Sequence, residues 1–442
     1  MIRCKYRKRG LGEKRMARQL RSGYTTGSCA SAAAMAAAVF LFHNRNDCKK
    51  GKKGLPKQVS FCLGNGAMAD FCPEYGKALE GMAGTNDWCR VKKDAGDDPD
   101  VTDGVWVYAR VLPILEERFK ELCHQGAGYR MKEYPKLYLN GGPGIGIAER
   151  AGLSCPVGRY AINPVPRRAI LAAVETVRRD MAYEGKLEIQ IAIPGGIHLA
   201  EKTFNPRLGI RGGLSILGTT GIVEPMSEQA LLETIRLDIR MKAVAREPVL
   251  LLTPGNYGET FLKQELGIPL GEAVKCSNFI GDSVDFAAEE GWEKLLLAGH
   301  IGKLIKVAGG VKNTHSRYGD HRMETMEQLA REVWKKMPKE QKKEMVFEKT
   351  GEEREDLTEA EMKELFVQIG KANTTEEAVG WLQKAGLAEA VMNQVAIRIK
   401  EHISQWTEGR LKAEIFVFSS AHGIVGKTER AEEFLDLWKG SV

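Results

Sequence analysis

Residues 249–258 read VLLLTPGNYG, and residues 294–303 read KLLLAGHIGK. In each, a short apolar run of strand length stops at a glycine-bearing turn and a helical segment follows. Residues 273–276 form another such run with a glycine and a helical stretch behind it, and residues 413–418 form a late fourth strand. Strand, glycine turn and helix in repetition is the pattern of a parallel α/β sheet, because parallel neighbours need a crossover between them. We therefore expect a Rossmann-like parallel-sheet α/β domain over residues 246–442. Between about 320 and 405 the pattern is helical and highly charged, and residues 337–373 read as a charged helical insertion.

Upstream the order is less regular. Residues 27–43, GSCASAAAMAAAVFLFH, predict a helix because alanine has the best intrinsic propensity, and small side chains favour close packing on a sheet. Thr25, Thr26 and Ser28 stand at its entrance as caps. Residues 58–63 and 67–72 flank Asn65-Gly66, which predicts a hairpin. Residues 105–111, 136–139 and 187–193 read as strands, and residues 167–181 as an amphipathic helix. This mixed order predicts an α+β, sandwich-like domain over residues 20–245.

Composition bounds the rest. The 442 residues suit two domains, and 48 glycines point to tight loops or close backbone approaches. The formal net charge of +7 resembles a nucleic-acid signal. It is accounted for by residues 1–20, where Arg3, Lys5, Arg7, Lys8, Arg9, Lys14, Arg15 and Arg18 face Glu13 alone. Residues 1–19 are thus expected to be a disordered basic leader, too charged for a secretory signal, with Met16 as an alternative start. The longest apolar run, residues 32–42, is too short to span a membrane. Nine cysteines without a C-x-x-C pair fit reduced thiols in the cytoplasm, not a disulfide framework or zinc site.

Several constellations are able to carry chemistry. Gly23-Tyr24-Thr25-Thr26-Gly27 and Leu217-Gly218-Thr219-Thr220-Gly221 echo each other, offering hydroxyls and backbone N–H groups to an anion or to simple capping. Arg167 and Arg168 follow Asn163-Pro164-Val165-Pro166, and Arg207 follows Asn205-Pro206. Proline stiffens both loops, and the guanidiniums suit carboxylates or an ordinary surface. Residues 93–104 are dense in aspartate but lack calcium-loop spacing, so a hydrogen-bonded turn is expected there. Gly255, Asn256, Gly258 and Gly299 lie where open α/β sheets bind ligands, although the full dinucleotide fingerprint is absent. Residues 142–146, GPGIG, are weak evidence for one. His300 and His315 begin polar turns and are candidate acid–base groups or satisfied structural residues. Cys29, at a helix start, is reactive or simply packed. These readings leave open a nucleotide-binding oxidoreductase and, through the leader, an RNA-associated protein.

The strings themselves narrow the choice. Residues 20–37 (LRSGYTTGSCASAAAMAA), 91–104 (VKKDAGDDPDVTDG), 141–146 (GGPGIG), 160–170 (YAINPVPRRAI), 193–196 (IPGG), 202–227 (KTFNPRLGIRGGLSILGTTGIVEPMS), 253–261 (TPGNYGETF) and 299–324 (GHIGKLIKVAGGVKNTHSRYGDHRME) together resemble the CbiD family. These are the cobalt-precorrin-5B (C1)-methyltransferases of anaerobic cobalamin biosynthesis. The resemblance implies methyl transfer from S-adenosylmethionine to C-1 of a cobalt-bearing tetrapyrrole. It implies a small-molecule corrinoid partner with no nucleic acid or membrane, and leaves homo-oligomerisation open. Cobalt would arrive with the substrate, so no protein-bound metal is expected. Thr25, Thr26, Arg167, Arg168, Arg207, Thr219 and Thr220 would then meet the macrocycle's acetate and propionate arms. Gly255, Asn256, Gly258 and Gly299 would hold the donor, and His300 and His315 would serve as acid–base groups. The leader, residues 113–134 and the charged block at 337–373 exceed the family pattern.

Overall fold

The computed structural model describes residues 20–45, 54–81, 86–225, 227–269, 271–343, 346–349, 352–355 and 359–440. The basic leader lies outside them. The fold is mixed α/β with several sheets, divided into two compact units. Among the described residues, unit one holds those within 20–149, 157–206 and 210–227, and unit two those within 150–156, 207–209 and 228–440. The helix Glu228–Val244 belongs to unit two although the sequence reading set it before the boundary at 245. Its Ile235 and Ile239 sit in the second unit's core, and Trp292 Nε1 donates to the Ile239 carbonyl at 3.3 Å.

In unit one, strands β1 (Glu74–Lys77), β2 (Trp88–Lys92), β3 (Trp106–Ile114), β4 (Leu137–Gly141) and β5 (Lys186–Ala192) form one sheet. The order is β1-β2-β3-β5-β4, antiparallel except for the β5–β4 pair. Alternation decides the faces. Val107, Ala109, Val111, Leu137, Leu139, Leu187, Ile189 and Ile191 point into the main core. Each fully buried aliphatic side chain there contributes about 1.5–3 kcal/mol. The opposite face carries a polar ladder: Arg110 Nε donates to Gln190 Oε1 at 2.8 Å, and Gln190 Nε2 and Asn140 Nδ2 both donate to Glu188 Oε1.

The core face is covered by helices α1 (Thr26–Asn44) and α2 (Pro164–Asp180), so the layering is helix on sheet. Helix α1 is long and apolar enough to cross a membrane, yet 72% of its most apolar window is buried within the protein. Alanines on nearly every side let it lie close to both the sheet and α2, the pattern of a core helix. The predicted hairpin is present: Val59–Cys62 pairs with Met68–Phe71 across a turn in which Gly66 has φ 86° and Ala67 N–H donates to Asn65 Oδ1.

In unit two, β6 (Leu250–Thr253) leads to α3 (Asn256–Leu266), β7 (Val274–Lys275) to α4 (Ile280–Glu289), and β8 (Lys294–His300) to α5 (Ile301–Ala308). Strands β9 (Lys412–Ser419) and β10 (Gly423–Lys427) complete a sheet of order β7-β6-β8-β9-β10. The first four strands are parallel and β10 is antiparallel. Alternating residues again divide the faces. Val249, Leu251, Leu296 and Phe418 pack with Phe261 and Leu262 of α3, while Leu250, Leu252, Leu295 and Leu297 pack with Leu304 and Ile305 of α5. The charged stretch at 337–373 departs from the helical expectation. Val346–Lys349 and Glu352–Glu355 pair as an antiparallel hairpin, and the helix Glu359–Lys371 buries Met362, Leu365, Phe366 and Ile369 in the core. Its apolar stripe was masked in the sequence by the charges around it.

Candidate functional site

The two echoing threonine loops meet in unit one. Gly23–Tyr24 pairs antiparallel with Ile222–Val223, Thr25 N–H donates to the Gly221 carbonyl at 3.1 Å, and Gly27 N–H donates to the Leu217 carbonyl at 3.1 Å. Thr25 Oγ1 caps α1 by accepting from Ser28 N–H at 3.2 Å, and Ser28 Oγ donates to the Gly221 carbonyl. The α1 amides at Gly27 and Ser28 are therefore taken up by the chain, and Thr25 and Thr26 are buried. Capping, not anion binding, accounts for the first loop. In the second, Thr220 Oγ1 turns back on Ile222, and Thr219 and Thr220 are exposed.

The first turn of α2 abuts the same end: a Cβ on Gly27 would fall 2.8 Å from Pro166 Cγ. Arg167 lies over the Tyr129 ring at 4.0 Å, and Arg168 is exposed. The structure thus gathers Thr25, Thr26, Thr219, Thr220, Arg167 and Arg168 at one end of unit one. Arg207 is not among them. It belongs to unit two, where Nη2 donates to the Gly271 and Ala273 carbonyls at 3.0 and 3.3 Å and lies 3.4 Å from Asp238. Its Nη2 thus braces the Gly271–Ala273 turn within unit two.

The aspartate-rich loop folds against Arg21–Tyr24. Arg21 makes a two-pronged pair with Asp94 at 2.6 and 2.8 Å, and Tyr24 N–H donates to the Asp94 carbonyl. That guanidinium holds the Asp94 carboxyl at about 2. Buried Lys93 bonds Asp100 and Thr102, and Asp103 accepts from Ala95 N–H. The loop is a hydrogen-bonded turn. Among the described residues, no group of three His, Cys, Asp or Glu side chains is placed to hold a metal ion. Cys29 is fully buried, and desolvation pushes its thiol up to about 12, which marks a packed residue. The glycine run 142–146 is likewise structural: a Cβ on Gly144 would lie 1.9 Å from the Ile193 carbonyl, and one on Gly213 2.2 Å from the Gly144 carbonyl.

Unit two supplies a second constellation. After β6 the chain turns to one face of the sheet with α3, and after β8 it turns to the other with α5. Adjacent parallel strands whose connections diverge leave a crevice at their carboxyl ends, the switch point where open α/β sheets bind ligands. Residues 253–256 and 299–303 border it. Gly255 has φ 119°, and a Cβ there would meet only Lys303 Nζ, at 3.9 Å, so its main chain is open to close approach. Gly258 lets α3 close on β6, since a Cβ would fall 1.7 Å from Thr253 Oγ1. Gly299 packs between Leu304 and Pro254. Asn256 opens α3, and its side chain lies outside the described residues.

His300 caps α5: Nδ1 accepts from Gly302 N–H at 3.0 Å, so Nε2 carries the proton toward Glu376 Oε1 at 2.9 Å. Glu376 also accepts from Ser419 Oγ and, at 3.2 Å, from Ser420 N–H. These bonds and His300 hold its carboxyl below the usual range against a desolvation that raises it. Both ring nitrogens of His300 are engaged, which makes it a strut between the α5 turn and Glu376. His315 is exposed and caps the short turn Ser316–Tyr318, its Nδ1 accepting from Arg317 N–H at 3.2 Å. Sequence reasoning missed Glu376, Ser419 and Lys303. Only Lys303 carried a signal, as the lysine closing the turn after a buried strand.

The chain is similar throughout to proteins of one kind. The sequence model of the CbiD family matches residues 13–225, and that of the CbiD C-terminal domain matches residues 357–429. A cobalt-precorrin-5B C(1)-methyltransferase of Ruminiclostridium cellulolyticum is 37% identical over 402 residues, covering 91% of this chain and 90% of that protein. One of Desulfitobacterium hafniense is 41% identical over 308 residues, covering 69% and 70%. A solved structure of the cobalamin biosynthesis protein (cbiD) from Archaeoglobus fulgidus is 24% identical, covers 71% of this chain and 84% of its own, and has a TM-score of 0.33.

Proposed function

The chain belongs to the CbiD family, and from that membership we infer that it methylates C-1 of cobalt-precorrin-5B, giving cobalt-precorrin-6A, with S-adenosylmethionine as donor. It is a methyltransferase of cobalamin biosynthesis. The observation that carries this is alignment with a methyltransferase of that name over nine-tenths of both chains. The finer assignments are proposals: a cytoplasmic enzyme with a small corrinoid substrate, a corrinoid-binding first unit, and a Rossmann-like second unit for the donor.

For the donor, support comes from the switch-point crevice and the open main chain at Gly255. Gly255 and Asn256 would face it, Gly258 and Gly299 would set the walls, and the His300–Glu376–Ser419 chain would fix the α5 turn. When bound, the donor supplies a methyl group activated by its sulfonium. Such a transfer to carbon depends chiefly on alignment of donor and acceptor, which rigid turns provide without a strong base. For the acidic macrocycle, exposed Arg168, Thr219 and Thr220 are the proposed contacts, and Thr25, Thr26 and Arg167 shape the end of the unit that bears them.

The test is incubation of the purified chain with cobalt-precorrin-5B and deuteriomethyl-labelled S-adenosylmethionine, read by mass spectrometry. Gain of one labelled methyl is expected. No gain on a substrate that an established relative methylates would refute the reading.

A further inference from the structure

Lys303 is a partly buried cation of unit two. Its Nζ donates to the Ser277 carbonyl at 3.2 Å, and among the described residues it forms no ion pair. Burial, with Lys306 a turn away, holds its pKa below that of an ordinary lysine. Lys242, Lys275 and Lys312 of this unit find the carboxylates of Glu247, Glu259 and Asp285, while Lys306 donates to two carbonyls, those of Thr314 and Gly319. A partly buried ammonium with one carbonyl partner and no counter-charge is costly unless something else neutralises it. Ser277, whose carbonyl accepts this hydrogen bond, has φ 52°, a left-handed conformation rare outside glycine and found at ligand clamps. Lys303 also borders the main chain of Gly255, at the carboxyl end of β6.

We infer that Lys303 holds a carboxylate of a bound ligand at the switch point, orienting it against the Gly255 turn. This rests on reading that crevice as the donor site. The carboxylate has two sources, the amino-acid end of the donor and an acetate or propionate arm of the macrocycle.

Calorimetry on the full chain separates them, using S-adenosylhomocysteine, methylthioadenosine, which lacks the amino-acid end, and cobyrinic acid, a corrinoid with free carboxylates. Loss of one charge-assisted bond predicts that Lys303→Met weakens S-adenosylhomocysteine roughly ten- to a hundredfold and leaves methylthioadenosine unchanged, with Lys303→Arg restoring part of the loss. If cobyrinic acid alone is weakened, the carboxylate is the macrocycle's and the inference stands. Unchanged binding of both carboxylate ligands to Lys303→Met overturns it. So does an equal loss of methylthioadenosine, which would mean a damaged crevice. Should Lys303→Met not fold, Lys303→Gln is judged by the same outcomes. A wild-type chain that binds neither adenosyl compound refutes the donor-site reading instead, and Lys303 is then judged on cobyrinic acid.

Discussion

At residue scale, Thr25 and Arg207 both turn polar groups inward, the one as a helix cap and the other as a brace. Thr25 sits in a loop that resembles an anion cradle but spends its hydroxyl on Ser28 N–H. Thr25→Ala is expected to cost about 1 kcal/mol in denaturant unfolding, the worth of an N-cap, more than it changes ligand affinity. Arg207→Ala strips donors from two carbonyls and a partner from Asp238, whose pKa burial already raises. It should lower thermal stability, while Arg168→Ala stays within about 0.5 kcal/mol of wild type and weakens corrinoid binding. The converse pattern, measured by calorimetry and thermal melts, would return Arg207 to the substrate. Asp94 gives a pH dependence of fixed sign. Its folded pKa is depressed to about 2, so the stability it confers is present above the ordinary aspartate value, about 3.9, and drains as pH falls toward 2. Asp94→Asn should flatten that acid limb in melts recorded across the range.

At the scale of elements, two glycines make a matched pair. Gly258 has no room for a methyl group against Thr253, whereas Gly380, inside the helix Thr375–Lys384, has nothing within 4 Å. Gly258→Ala should therefore destabilise by roughly 1–3 kcal/mol through overpacking, and Gly380→Ala should stabilise by roughly 0.5–1 kcal/mol. Similar changes from both would show that the α3–β6 contact is looser than described. The same contrast explains what was legible beforehand. The hairpin at Asn65-Gly66, the alanine helix and the strand–turn–helix repeats declare themselves through local periodicity and turn chemistry, which neighbouring residues determine. A glycine run does not say whether a ligand or another stretch of backbone fills its space; at Gly144 it is the Ile193 carbonyl. Arg207 finds Gly271, and His300 finds Glu376, 64 and 76 residues away, so neither partnership leaves a trace in local pattern. The helix Glu359–Lys371 was obscured in another way, its apolar stripe set among glutamates and lysines.

At the scale of the molecule, the proposed division of labour falls between the two units. The first would meet the acidic macrocycle with exposed Arg168, Thr219 and Thr220; the second would hold the donor where α3 and α5 leave opposite faces of a parallel sheet. Hydrogen exchange on the full chain with S-adenosylhomocysteine tests that division most directly. Slowed exchange is expected in residues 253–258, 276–281 and 299–303, with residues 21–28 and 217–222 unchanged. Protection confined to residues 21–28 and 217–222, with none after β6 or β8, would contradict it.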